Sequence, residues 1–390
     1  MAPQGRARIP TERERREARW QAAAAERAER KRLAEARRAW KRLGARGQFE
    51  LACEIVETRA GELKGAYPGV LSLAAGHSRY RRPDAARASV WHEPAVTFLV
   101  QRKWSAKGKS RRSDAIPAYL FAYASVGGKR ELCAVPTDVE DARHYRLRAQ
   151  ARSAIIVTPP EGRRGLRPAD GTITCLVSLS PGSQTRYLMS CRHVFGLVAS
   201  APDDYPTDAA VSRENDGAPV GPVIARVDEI YGLLRAGTND NFDVALARLA
   251  VDADDPAVLA VIEPFAPFDG QRYVDGHTEI SELREYTILT PRGAKAAAYV
   301  RGWASAEQVP VDYGRLGTLR QRVLVIESSV RGGGTTAGDS GSPVVTKDRT
   351  QLVGMHFAGV NEISYMIPAY ELVKRANYVG FARGVPFVIG

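Results

Sequence analysis

The stretch Gly338-Asp339-Ser340-Gly341, flanked by Ala337 and by Ser342-Pro343, carries more information about this 390-residue chain than any other. Two glycines bracket an acid and an alcohol, so the backbone can turn tightly and aim the amides of Gly338 and Ser340 at one point. Taken alone the tetrapeptide also suits a plain hairpin turn, and a short motif is decided by its context. A serine hydroxyl attacks at neutral pH only with an imidazole to take its proton and a carboxylate to hold that imidazole's tautomer. The rest of the chain holds a candidate for each.

Upstream, Gly171–Ser180 reads as a buried strand, Pro181-Gly182 as a turn, and Tyr187–Cys191 as a returning strand that delivers Arg192-His193-Val194-Phe195. His193 thus falls where a hairpin ends. Asn241-Phe242-Asp243 begins with turn chemistry and runs into the alternating Val244–Leu249, which puts Asp243 at the mouth of a strand. A carboxylate there is shielded by its apolar followers while accepting a hydrogen bond from an imidazole. The order along the chain is His, Asp, Ser.

Four segments together, SCRHVF around His193, NFDVAL around Asp243, TTAGDSGSP around Ser340 and LVGMHFAG at Leu352–Gly359, resemble the trypsin-like (chymotrypsin-fold) serine proteases over roughly residues 165 to 370. The resemblance implies a mostly β fold, two antiparallel β-barrels, and a serine endopeptidase working through an acyl-enzyme on a protein or peptide substrate. By the same resemblance Ser340 is the nucleophile, His193 the general base and then acid, and Asp243 the residue that orients the imidazole. The amides of Gly338 and Ser340 form the oxyanion hole. In secreted relatives the aspartate matching Asp339 pairs with a newly released N-terminus; Arg331 or another internal cation is the alternative here. The competing reading is a catalytically silent protease-like scaffold that binds or regulates through its basic N-terminal region.

The pocket walls expected from the family are Gly333–Thr336 and His356–Gly359, with Phe357 and Gly359 lining the substrate, and no Asp or Glu lies in either segment. That argues against a preference for Lys or Arg. His356 stands out of phase with Met355 and Phe357 on its strand. The pair TTAGDSGSP and GMHFAG is similar to glutamyl endopeptidases, in which a histidine so placed and a threonine five residues before the nucleophile meet a substrate carboxylate; Thr335 is that threonine. An imidazolium plus a hydroxyl can compensate a carboxylate stripped of water. A histidine satisfied inside the second barrel is the other reading of His356.

His77, His92, His144 and His277 lack metal-ligand spacing to one another or to cysteine, so neither a catalytic metal nor a cofactor is expected. Cys53, Cys133, Cys175 and Cys191 form no CxxC unit, and free thiols are the expectation. No apolar run at the start suits a signal peptide, and no later stretch reaches about 18 uncharged apolar residues. With so few cysteines, this reads as a cytoplasmic protein without a membrane span.

The net charge of +12 is unevenly spread. Residues 1–48 hold 15 Lys/Arg against 6 Asp/Glu and residues 49–160 hold 18 against 11, leaving the remainder mildly acidic. From Thr11 to Leu43 there is no Gly or Pro, and Ala, Arg and Glu dominate, which predicts a long helix with Leu33, Ala36, Trp40 and Leu43 on one stripe. Its Arg-rich faces suit an acidic or nucleic-acid partner, or simple solvation. Residues 49–160 read as a small α+β unit of regulatory or accessory kind: a helix through Phe49–Ala60, then strands at Val70–Ala74, Ala95–Val100 and Leu132–Val135. Its strand order and the phrase VPTDVEDA resemble a small domain that precedes the protease in some bacterial trypsin-like proteins. Arg102–Arg112 reads as an exposed basic loop, and Pro159-Pro160-Glu161-Gly162 as the linker into a protease domain at 161–390.

Overall fold

In the computed structural model, which describes residues 11–67, 69–80, 89–100, 116–141, 154–160, 168–178, 184–195, 208–231, 241–262, 273–276, 279–280, 283, 285–302, 309–313, 318–321, 324–328, 335–336, 338–360, 363–375 and 388–389, the Gly- and Pro-free run forms one helix, α1 (Glu12–Arg42). It ends just before Gly44, whose φ of +69° is left-handed, and α2 (Gly44–Ala66) follows at once. The last turns of α1 bury Ala36, Ala39 and Trp40, and Leu43 packs beside them. The described residues of its first half, up to Lys31, are almost all exposed. The expected apolar stripe therefore docks on the chain itself.

The docking surface is a sheet of β1 (Val70–Tyr80), β2 (Ser89–Val100), β3 (Tyr119–Val126) and β4 (Lys129–Asp141). β1–β2 and β3–β4 are antiparallel, whereas β2–β4 is parallel. Trp40 Nε1 donates to Glu93 on β2 at 3.1 Å, and the guanidinium groups of Arg32 and Arg37 lie 5.0 and 5.4 Å from the ring centroids of Phe121 and Tyr119 on β3. The strands expected at 70–74, 95–100 and 132–135 are all present and longer, and β3 is added. The basic loop at 102–112 and the end of the linker lie outside the described residues.

The remaining elements, in chain order, are β5 (Ile155–Thr158), β6 (Ala169–Gly171), β7 (Cys175–Ser178), β8 (Tyr187–Ser190), β9 (Ala210–Asn215), β10 (Ala218–Tyr231), β11 (Ala245–Leu249) and α3 (Pro256–Ile262). There follow β12 (Glu285–Thr290), β13 (Gly293–Gly302), β14 (Val309–Asp312), β15 (Thr318–Gln321), β16 (Leu324–Ser328), β17 (Pro343–Thr346), β18 (Leu352–Val360), β19 (Ile363–Pro368), α4 (Ala369–Arg375) and β20 (Val388–Ile389). Apart from the two-stranded β14–β15 ribbon, the strands make two curled antiparallel half-barrels in the chymotrypsin-like arrangement. The first runs β20-β7-β8-β11-β10-β9-β5-β6. The second runs β12-β17-β18-β19-β16-β13 and closes through β12–β13 pairing.

One apolar core is shared by both: Ile173, Leu188, Phe242 and Leu246 from the first meet Met355, Phe357 and Ile367 from the second. Burying such side chains, at about 25 cal/mol per Å² of apolar surface, is what holds the halves together. The far end of β13 runs on to pair with β1, Ala75 opposite Gly302 and Gly76 opposite Arg301. The front sheet thereby continues the second half-barrel as ten hydrogen-bonded strands. No described helix is long and apolar enough to cross a membrane.

Candidate active site

The register of β8 and β11 determines where the imidazole and the carboxylate meet. Ala245 stands opposite Ser190, so the residues just past the end of β8 and just before the start of β11 emerge at the same place. Those residues are His193 and Asp243. Nδ1 of His193 lies 2.6 Å from Oδ2 of Asp243, and the His193 amide donates to Oδ1 at 3.1 Å. Asp243 is fully buried, and the imidazole side chain is 11% exposed. Burial pushes the Asp243 carboxyl up, but the imidazole charge, two hydrogen bonds from His193 and one from the Tyr313 hydroxyl outweigh it and hold the group below the usual carboxylate range. With Nδ1 committed to the carboxylate, Nε2 is the nitrogen left for a substrate or nucleophile proton.

The loop bearing Ser340 is shaped by Gly338 at φ +81° and Gly341 at φ +91°. A Cβ at Gly341 would stand 1.9 Å from the carbonyl oxygen of Thr172, so glycine is required there for space as well as for backbone angle. The expected strand over 171–180 is interrupted between β6 and β7: the Thr172 amide turns to the loop while the Thr174 amide still bonds the Met189 carbonyl of β8, and 179–180 lie outside the described residues. Thr172 N donates to the Ser340 carbonyl at 2.8 Å, Thr172 Oγ1 to the Gly338 carbonyl at 2.8 Å, and Thr174 Oγ1 to the Gly341 carbonyl at 2.6 Å. From the other half-barrel the Gly341 amide donates to the His356 carbonyl at 2.8 Å. The amides of Gly338 and Ser340 donate to no acceptor among the described residues.

Asp339 is wholly buried. Nη2 of Arg292, in the tight turn between β12 and β13, donates to its Oδ1 at 2.5 Å, while the Thr336 amide and hydroxyl reach Oδ2 at 2.7 and 3.3 Å. Arg292 is thus an internal cation on Asp339 among the described residues; Arg331 lies outside them.

Ser340 sits across a narrow gap from the histidine segment. A Cβ added at Gly171 would lie 2.5 Å from Cγ1 of Val194, the neighbour of His193, and 3.0 Å from the Ser340 carbonyl. The Ser340 hydroxyl itself donates to the Phe357 carbonyl at 3.0 Å, and no hydrogen bond joins it to His193. The structure thus pairs His193 directly with Asp243, while the Ser340 hydroxyl bonds to Phe357 and to neither of them.

Of the pocket residues, Thr335 and His356 are buried, and the Thr335 and Ser364 hydroxyls are 3.1 Å apart. His356 pairs with Met366 across β18–β19, and Ser364, two residues along β19 from Met366, shares its face. Between His356 and Ala358 the register slips, so Phe357 occupies a bulge that turns its carbonyl to Ser340. Phe357 is fully buried, and Gly359 is opposite Ser364. Gly333 and Gly334, like His144 and His277, lie outside the described residues.

Cys191, His193 and Asp243 are a grouping with metal-ligand composition, their donor atoms lying within 4.8 Å of one another. Two ligands of one tetrahedral zinc ion sit about 3.3 Å apart. The 2.6 Å His–Asp contact is shorter, as a charge-assisted hydrogen bond is. Burial and the Asp243 charge push the Cys191 thiol well up, and as the protonated thiol it donates to the His356 carbonyl at 3.6 Å. All four cysteines are free thiols.

Sequence reading missed Arg292, Tyr313, Thr172 and Thr174. None lies in a motif, and each reaches its partner only through tertiary contact. The hydroxyl of Tyr313 was invisible for the same reason, although a buried tyrosine always calls for a polar partner.

Fold and site together define the class as a chymotrypsin-like double half-barrel carrying an Asp–His pair next to a GDSG loop. No family model matches the chain, and no curated protein matches it. Among solved structures, the chain is similar to the NSP4 proteinase from equine arteritis virus at 13% identity and TM-score 0.27, over 57% of this chain and 75% of that one. It is similar to the human pathogenic astrovirus serine protease at 13% and 0.25, over 58% and 94%, and to kallikrein-related peptidase 10 at 11% and 0.28, over 57% and 93%.

Proposed function

We propose that this chain is a serine endopeptidase that hydrolyses peptide bonds through an acyl-enzyme. The observation that carries the reading is the buried Asp243 carboxylate 2.6 Å from Nδ1 of His193, on the half-barrel that clamps the Ser340 loop through Thr172 and Thr174. In this mechanism Ser340 turns about χ1 from the Phe357 carbonyl toward Nε2 of His193, in keeping with catalytic hydrogen bonds that align only once substrate is bound. The hydroxyl oxygen attacks the scissile carbonyl as its proton passes to Nε2, and the imidazolium then protonates the leaving amine. Asp243 holds the tautomer and stabilises the imidazolium without taking the proton. The amides of Gly338 and Ser340 receive the developing oxyanion, each worth about 3 kcal/mol in the transition state. Arg292 supplies the cation for Asp339 from within the chain, so the loop needs no liberated N-terminus.

For specificity the reading is a preference for an acidic residue before the cut, met by Thr335 and His356. It is supported by their burial, by the hydroxyl of Ser364 beside Thr335, and by the absence of Asp and Glu in the pocket segments. An imidazolium is the group that would offset the incoming carboxylate.

A fluorophosphonate probe tests the activity. Wild type should be labelled, and Ser340→Ala and His193→Ala should not; a folded wild type that resists labelling would instead favour a binding scaffold acting through residues 1–48. A peptide-library cleavage profile tests the specificity: Glu or Asp enriched before the cut supports it, and scattered apolar preference overturns it.

A further inference from the structure

We infer that Tyr313 is a positioning residue of the site, a fourth member that pins the Asp243 carboxylate and through it the imidazole. This rests on the reading of Asp243 and His193 as the orienting pair, and it goes beyond that reading in assigning a residue outside every motif.

Tyr313 directly follows β14, which pairs with β15 as a two-stranded ribbon separate from both half-barrels. The ribbon delivers the side chain into the core shared by the halves, where Tyr313 is 1% exposed and Leu319 of β15 is buried with it. The hydroxyl donates to Oδ2 of Asp243 at 3.0 Å. That is the same oxygen that faces Nδ1 of His193 at 2.6 Å. The ring lies edge-on to the imidazole, with centroids 6.0 Å apart and planes at 71°. One residue thus touches both members of the pair.

Geometry explains why that matters. A carboxylate held only by the imidazole and the His193 amide can librate about its terminal torsion, which is broad and soft. A second donor on Oδ2 fixes the oxygen in the plane that the ring must share. It also takes part of the negative charge, so less of it leans on the Nδ1 proton. A tyrosine merely filling the core would need some partner for its hydroxyl, but nothing about filling space would tie that hydroxyl to the electronic state of His193.

Two measurements on the full chain separate this from a packing role. The first is the low-field proton resonance of His193 Nδ1–H, which needs no activity. In Tyr313→Phe it should move downfield, because the carboxylate charge falls back on the remaining proton. With 3-fluorotyrosine at position 313, a stronger donor of nearly the same shape, it should move upfield. The second is the rate of fluorophosphonate labelling at Ser340, which should fall about tenfold in Tyr313→Phe, as expected for loss of a hydrogen bond to a charged group. An unchanged resonance in both variants overturns the assignment, even where labelling falls. Failure of wild type to label would overturn the protease reading, while the resonance would still decide the role of Tyr313.

Discussion

Replacing Arg292 with methionine isolates the contact that sets the nucleophile loop. The guanidinium side chain is 27% exposed and its partner Asp339 is 0% exposed, at 2.5 Å. Methionine keeps much of the stem and removes the charge, so the buried Asp339 loses its Arg292 ion pair while keeping the Thr336 amide at 2.7 Å and hydroxyl at 3.3 Å. Removing one member of a buried pair costs about 3–5 kcal/mol. Arg292 keeps some contact with water, which places the loss near the lower bound, about 3 kcal/mol. If that energy separates the folded-back loop from an open one, the competent fraction falls roughly 150-fold. The second-order rate constant for fluorophosphonate labelling of Ser340 at neutral pH reads this directly, and calorimetry shows whether the loss is confined to the loop or spreads to the domain. The double variant Arg292→Met/Asp339→Asn should recover most of the lost stability, since no unpaired charge is then buried. Labelling of Arg292→Met within twofold of wild type, with an unchanged unfolding midpoint, would refute the reasoning. The remaining contacts of Asp339 would then be sufficient without Arg292.

Gly341→Ala forces a Cβ to within 1.9 Å of the Thr172 carbonyl and 2.3 Å of Ser190 Oγ at a left-handed φ. A loss on the order of 3 kcal/mol is expected, with labelling abolished; unaltered melting and labelling would show that the loop is not clamped. Asp243, whose carboxyl is held below its ordinary value, contributes stability in full above about pH 4 and loses it as pH falls through the lowered folded value. The stability gap between wild type and Asp243→Asn should accordingly shrink on acidification below about pH 4. A gap that stays constant down to about pH 2.5 contradicts the assigned charge state.

Local chemistry made much of this molecule readable from its residues. The Gly-flanked Asp339-Ser340, the hairpin ending near His193 and the turn opening at Asp243 each depend on near neighbours, and so does the long Gly- and Pro-free helix with its Trp40 stripe. The same locality explains the errors of extent. Propensity sees where apolar alternation is strong, as in Ala95–Val100, but pairing with β1 carries β2 back to Ser89.

Other features belong to the register of distant strands. Thr172 and Thr174 look like ordinary strand residues, yet their hydroxyls donate to two carbonyls of a loop more than 160 positions away. Arg292 is a turn residue among many basic ones until β12 pairs with β17 and brings the turn beside Asp339. Tyr313 is a lone aromatic beyond a short strand until its ribbon enters the shared core. The sequence by itself determined which chemical groups are present and which short segments can hold them, because backbone preference and hydrophobic alternation act over a few residues. Which buried charge meets which cation, and which hydroxyl braces the carboxylate, was decided only by the tertiary structure, because those contacts join segments far apart in the chain that strand pairing and core packing bring together.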